Sequence, residues 1–136
     1  MDYSSIIELD LSNKELTELP DLSKYINLNI LYCSNNSITH LDNLQLSLTK
    51  LYCSYNKITI LDNLPLSLIE LYCSNNKITS LDNLPLSLTT LYCSNNKITH
   101  LDNLLLSLTY LDCSYNPLTY NFNPTLENIR NYNQNR

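Results

Sequence analysis

The chain of 136 residues has no glycine and no tryptophan, and only one methionine and one phenylalanine. Without glycine it has no Gly-rich phosphate loop, because such loops need backbone that approaches an anion unhindered by a Cβ. Positive charge is scarce: eight Lys plus Arg stand against thirteen Asp plus Glu, for a net charge of −5. Gripping a nucleic-acid backbone takes clustered cations, so no nucleic-acid partner is expected. No apolar run approaches the roughly 20 residues of a membrane span, so no membrane partner is expected either. The opening stretch, MDYSSIIELDLS, has neither the basic segment nor the apolar run of a secretory signal. The sequence therefore predicts an intracellular, cytoplasmic protein in a reducing compartment, where disulfides rarely persist.

What is present is a period. LYCSNNKIT stands at 71–79 and again at 91–99, with close copies at 31–39 and 51–59 and a looser one at 111–119. Leu28, Leu48, Leu68, Leu88 and Leu108 open successive units of 20 residues. Leu31, Leu51, Leu71, Leu91 and Leu111 follow three later, and then Cys33, Cys53, Cys73, Cys93 and Cys113. Asn36, Asn56, Asn76, Asn96 and Asn116 come next, followed by Ile38, Ile58, Ile78, Ile98 and Leu118. An earlier unit holds the same offsets with Ile6, Leu9, Leu11, Leu16 and Leu19, and its step to Leu28 is 22 residues. The unit, L-x-x-L-x-C-x-x-N-x-I-x-x-L, resembles the leucine-rich repeat family over about residues 6–119. Its length and its LDNLPLSL half are most similar to the short subtype of bacterial effector proteins.

The residues lead to the same architecture. Leu31-Tyr32-Cys33 alternates as a short strand with one face buried. Twenty residues leave no room for a long helix after the strand and its turns. The return segments at 61–68 and 81–88 carry spaced leucines around a proline, which favours extended or 3₁₀-like structure. Stacked units give an α/β-type leucine-rich-repeat solenoid, right-handed by the rule for parallel crossovers, with a parallel β-sheet on the concave face. About six leucine or isoleucine side chains per unit are expected in the core. One domain covers 1–136: a cap and first repeat at 1–27, regular repeats at 28–47, 48–67, 68–87 and 88–107, a degenerate repeat at 108–127, and a polar tail at 128–136. Leu126 and Ile129 supply a last half-turn in this reading.

Each cysteine lies two residues after an inward leucine and shares its face, and Leu11 fills the slot in the first unit. Zinc motifs pair ligands two to four residues apart, which this column does not do, and five is an odd number for bridges. The cysteines are therefore read as core. The resemblance implies that Asn36, Asn56, Asn76, Asn96 and Asn116 turn inward and hydrogen-bond the backbone of the adjacent coil. The row Asp42, Asp62, Asp82 and Asp102 admits capping of the NLP turn or a bound Ca²⁺. The missing calcium-loop spacing and glycine favour capping. No metal site and no cofactor are expected.

The outward strand positions form the candidate site. Tyr32, Tyr52, Tyr72 and Tyr92 make one column, ending in Asp10 and Asp112. A serine column runs beside it, then Asn35, Tyr55, Asn75, Asn95 and Tyr115. Lys50, Glu70 and Tyr110 lie on the other side. Tyrosine supplies rigid amphipathic area and small polar groups supply adaptable hydrogen bonds, the composition of binding surfaces. A protein partner held by this concave face is the expected function. The alternatives are a self-associating structural repeat and a glycan-binding module. His40 and His100 stand three units apart and no serine has a histidine base, so no catalytic residue and no enzyme are expected. The thin caps leave homo-oligomerisation through the ends as a further expectation.

Overall fold

The computed structural model describes residues 2–136. Six strands of three residues lie in chain order in one parallel sheet. They are β1 (Glu8–Asp10), β2 (Ile30–Tyr32), β3 (Lys50–Tyr52), β4 (Glu70–Tyr72), β5 (Thr90–Tyr92) and β6 (Tyr110–Asp112). Register is set by the repeat itself: Leu9, Leu31, Leu51, Leu71, Leu91 and Leu111 stand side by side across the sheet. The 22-residue first step keeps this register, so its two extra residues are accommodated outside the strands. The ladder runs past the strand ends, with Cys33 N donating to Tyr52 O at 2.8 Å and Asn35 N to Ser54 O at 3.0 Å.

The core is a stack of equivalent layers. In the second coil Leu28, Leu31, Cys33, Ile38, Leu41 and Leu44 are buried, and the next two coils repeat the set. Each aliphatic side chain contributes roughly 1.5–3 kcal/mol when fully buried, and a coil gains this only when neighbours cover it. A regular coil thus buries five aliphatic side chains and one thiol, where the sequence led us to expect six aliphatic ones. The missing one is on the outside: Leu46, Leu66, Leu86 and Leu106 are 83%, 80%, 79% and 85% exposed. Turn geometry is the reason. Leu48 N donates to Gln45 O, Leu68 N to Pro65 O and Leu88 N to Pro85 O, so the chain wraps at 45–48, 65–68 and 85–88. The leucine inside each wrap sits at its apex and points to solvent.

The convex side carries extended segments and these single turns; among the described residues, 3₁₀ helix is confined to Tyr3–Ser5. The C-terminus departs from the expected polar tail at 128–136, because Leu126–Gln134 forms helix α1. Thr125 caps it by accepting from Asn128 N, and Glu127 lies favourably in its first turn. Ile129 is fully buried against the last coil.

Arg130 closes the coil's polar edge. In the interior, Ser87 Oγ donates to Leu66 O and Leu68 O of the preceding coil. At the end no further coil supplies a serine, and Arg130 Nη2 donates to Leu106 O at 3.1 Å and Leu108 O at 2.6 Å instead. Asn133 Nδ2 donates to Leu101 O, and Arg136 pairs with Asp102 at 3.4 Å. This end is covered in a way the thin-cap reading did not anticipate.

Candidate functional site

Two columns one residue apart bound the concave face. In the inner one, Asn76 Nδ2 donates to Cys53 O at 3.1 Å and Cys73 O at 3.0 Å, while its Oδ1 accepts from Ile58 N at 3.0 Å. Asn36, Asn56, Asn96 and Asn116 repeat the bonds to the two cysteine carbonyls or their equivalents. One side chain thereby satisfies backbone groups of two coils where the chain leaves the sheet. These side chains face the core and are structural.

In the outer column the backbone is left-handed: φ is 58° at Asn35, 56° at Tyr55, 59° at Asn75, 52° at Asn95 and 55° at Tyr115. A glycine would ordinarily stand there, and asparagine is the next most tolerant residue. Asparagine at 35, 75 and 95 therefore has a backbone reason, one the sequence reading missed. The absence of glycine beside a periodic Asn-Asn pair is the signal that would have found it. Tyrosine has no such reason. Tyr55 and Tyr115 hold a conformation that disfavours a bulky side chain, and they are 58% and 86% exposed.

The tyrosine column is a stack. Ring centroids are 4.8 Å apart for Tyr32–Tyr52, 4.3 Å for Tyr52–Tyr72 and 4.8 Å for Tyr72–Tyr92, with interplanar angles of 16°, 6° and 14°. Tyr110 leans over from the adjacent column and adds a fifth ring, 4.8 Å from Tyr92. Most ring faces are consumed within the stack, so the column presents edges and hydroxyls rather than flat aromatic area. Desolvation in the stack raises the phenol pKa of Tyr72, and its hydroxyl donates to Glu70 Oε1 at 3.0 Å. Glu70 also pairs with Lys50 at 3.0 Å, which lowers the carboxyl pKa of Glu70 and raises the pKa of Lys50. Both residues were candidate partner contacts, and they engage each other.

The cysteines are buried free thiols. Burial pushes Cys33 and Cys73 up to about 12 and Cys113 to about 11. Thiolate, the reactive form, is thus suppressed. Two of the aspartate row reach outside their own turn: Asp62 Oδ1 accepts from Asn83 Nδ2 of the next coil at 2.9 Å, and Asp102 pairs with Arg136 near the C-terminus. A polar hollow of about 730 Å³ opens between the first two coils, beside Glu18, Asp21, His40 and Asp42. Among the described residues no three His, Cys, Asp or Glu side chains are grouped to hold a metal ion. None of the helices there is long and apolar enough to cross a membrane.

A parallel solenoid with one leucine layer, one inward thiol and one asparagine bond set per coil is a repeat protein of the leucine-rich class. The family's sequence models match: Leucine Rich repeats (2 copies) at 46–86 and Leucine Rich Repeat at 87–106 and 107–129. The chain belongs to the leucine-rich repeat family, and its 20-residue unit is similar to the short subtype of bacterial effectors.

Among solved structures it is similar to YopM from Yersinia enterocolitica, at 34% identity and a TM-score of 0.71 over 78% of this chain and 23% of that one. It is similar to the functional domain of InlJ from Listeria monocytogenes, described as including a cysteine ladder, at 49% identity and a TM-score of 0.66 over 78% of this chain and 24% of that one. A Shigella effector leucine-rich-repeat domain matches at 27% identity and a TM-score of 0.56, over 86% of this chain and 62% of that one. The chain thus spans about a quarter of the length of the first two. No curated protein matches it. Leucine-rich repeats generally serve as scaffolds for protein–protein interaction and are typically not enzymes.

Proposed function

We propose that the chain binds a partner protein through the rim and floor of its concave face, inside a cell. The observation that carries this reading is the pair Tyr55 and Tyr115. Both are exposed and both hold left-handed backbone where other coils use asparagine. An exposed aromatic side chain at a conformational cost has no folding reason, and such strain clusters at functional positions. The stacked column beside it supplies a rigid floor of tyrosine edges and hydroxyls, flanked by the serine column. The buried, unbridged thiols are compatible with a reducing compartment.

Site-specific photocrosslinking tests the reading. A benzophenone side chain introduced at position 55 should capture a discrete partner from the source cell. The same group at position 66, on the convex side, serves as the control. Equal capture from both positions would remove the concave face from the account.

One observation favours a second reading, self-association. Ile26 continues the exposed row of Leu46, Leu66, Leu86 and Leu106, and contiguous apolar rows on soluble proteins usually mark contacts. Pairing would then run through the convex side and not through the ends. Sedimentation of a Leu66→Gln, Leu86→Gln variant against the native chain decides it: association lost in the variant supports it, and a native monomer at all concentrations removes it.

A further inference from the structure

The tyrosine stack has two ends, and its first is open. Tyr52 covers one face of the Tyr32 ring. On the other side the position in register is Asp10, not a fifth tyrosine of the column. Glu8 projects from the same face of β1, two residues earlier. Glu8, Leu9, Asp10 and Tyr32 line a hollow of about 340 Å³. The phenol of Tyr32 is raised by partial desolvation and by the nearby Glu8 charge, which places that carboxylate within electrostatic reach of the ring. Asp10 is oriented, because one of its carboxylate oxygens accepts from Ser12 N at 2.9 Å. Neither Glu8 nor Asp10 forms an ion pair among the described residues.

Charge on the rest of the face sharpens the point. Lys14 lies within electrostatic reach of Asp10 without pairing with it. On the strands themselves, however, Lys50 and Glu70 neutralise each other, so the unpaired outward charges there are Glu8 and Asp10 at one end and Asp112 at the other. All are negative. A flat aromatic face flanked by carboxylates suits a planar cation better than a compact one. A guanidinium stacks on the ring and donates to carboxylates in its own plane, while an ammonium does only part of this.

We propose that the open face of Tyr32, with Glu8 and Asp10, is a seat for an arginine side chain of the partner protein. This rests on the concave-face reading and adds the chemistry of the partner: a surface that brings at least one arginine to the β1 end. The seat also makes β1 a poor edge for a second copy of this chain. Antiparallel pairing of two β1 edges would set Glu8 and Asp10 of each against those of the other.

The test uses the full chain and a defined probe, N-acetyl-arginine amide, followed by NMR at the tyrosine rings. The expected result is a saturable shift confined to Tyr32 and its neighbours. The uncharged isostere, N-acetyl-citrulline amide, should give none, and N-acetyl-lysine amide should bind several-fold more weakly. A Glu8→Gln, Asp10→Asn variant keeps the acceptor for Ser12 N and should bind the arginine probe at least tenfold more weakly. A shift that never saturates, lysine binding as tightly as arginine, or an unaffected variant would each overturn the proposal. Failure of the wider concave-face reading would show elsewhere, in crosslinking at position 55, which this variant leaves untouched.

Discussion

Asparagines 75 and 76 are neighbours in the chain and opposites in the structure. Asn76 is buried and bonds four backbone groups through both ends of its amide. Asn75 sits outside with a φ of 59° and is there for its backbone tolerance. The coil-to-coil pattern shows what each column permits. From the second coil onward the inner column is always asparagine, while the outer one admits tyrosine at 55 and 115. A column that tolerates a costly aromatic side chain is free of packing constraint, and so is available for recognition. A column that admits no change is fixed by hydrogen bonding.

The contrast can be broken most forcefully at the inner column. Asn76→Leu strands the carbonyls of Cys53 and Cys73 and the amide of Ile58 in a buried place. The expected loss is about 3 kcal/mol or more, read by chemical denaturation. A loss below about 1 kcal/mol would mean that water replaces the side chain. Next in size is the end of the solenoid. Arg130→Ala should cost about 1–3 kcal/mol by exposing the carbonyls of Leu106 and Leu108, and hydrogen exchange should rise first in the last coil. Uniform exchange along the chain would show that α1 does not protect that end.

At the outer column the sign reverses. Tyr55→Asn places the residue of coils two, four and five at the same left-handed position, and should stabilise the fold by about 0.5–1 kcal/mol. Destabilisation would mean that the Tyr55 ring packs on something that matters for folding.

The smallest effect is alkaline. Tyr32, Tyr72 and Tyr110 have phenols raised above the usual value, so the folded chain holds those protons more tightly than the unfolded one. Their contribution is complete below the ordinary phenol range, about 10, and is lost as pH rises through the folded values. Phenolate absorbance should therefore show a late-titrating group of tyrosines that merges with the rest on denaturation. A single transition in the folded chain would contradict the stack.

Periodicity made the sheet, its register and the cysteine layer legible, because inward positions recur at fixed offsets and each is filled by an apolar side chain. It left the rest of the geometry underdetermined. The exposed leucine of each LSL turn looks like core until the wrap between Pro65 and Leu68 is known, since hydrophobicity alone does not say which side of a turn a residue takes. The stack was hidden in a similar way. A tyrosine at each outward strand position reads as binding area, yet strand spacing of about 4.8 Å brings the rings face to face. The terminal helix had a signal, Thr125 before Leu126 and Ile129 at helical spacing, that was outweighed by the polar residues around it. Arg130 had none, because its role is to replace a serine that a further coil would have supplied.

The central claim is that the outer column recognises and the inner column builds. Affinity capture from the source cell with two baits tests it most directly: the native chain, and a Tyr55→Asn, Tyr115→Asn variant that keeps the fold. The account predicts a partner held by the native chain and lost by the variant, with the variant at least as stable. A partner retained by the variant at undiminished yield would contradict it, and would move recognition to the convex leucine row.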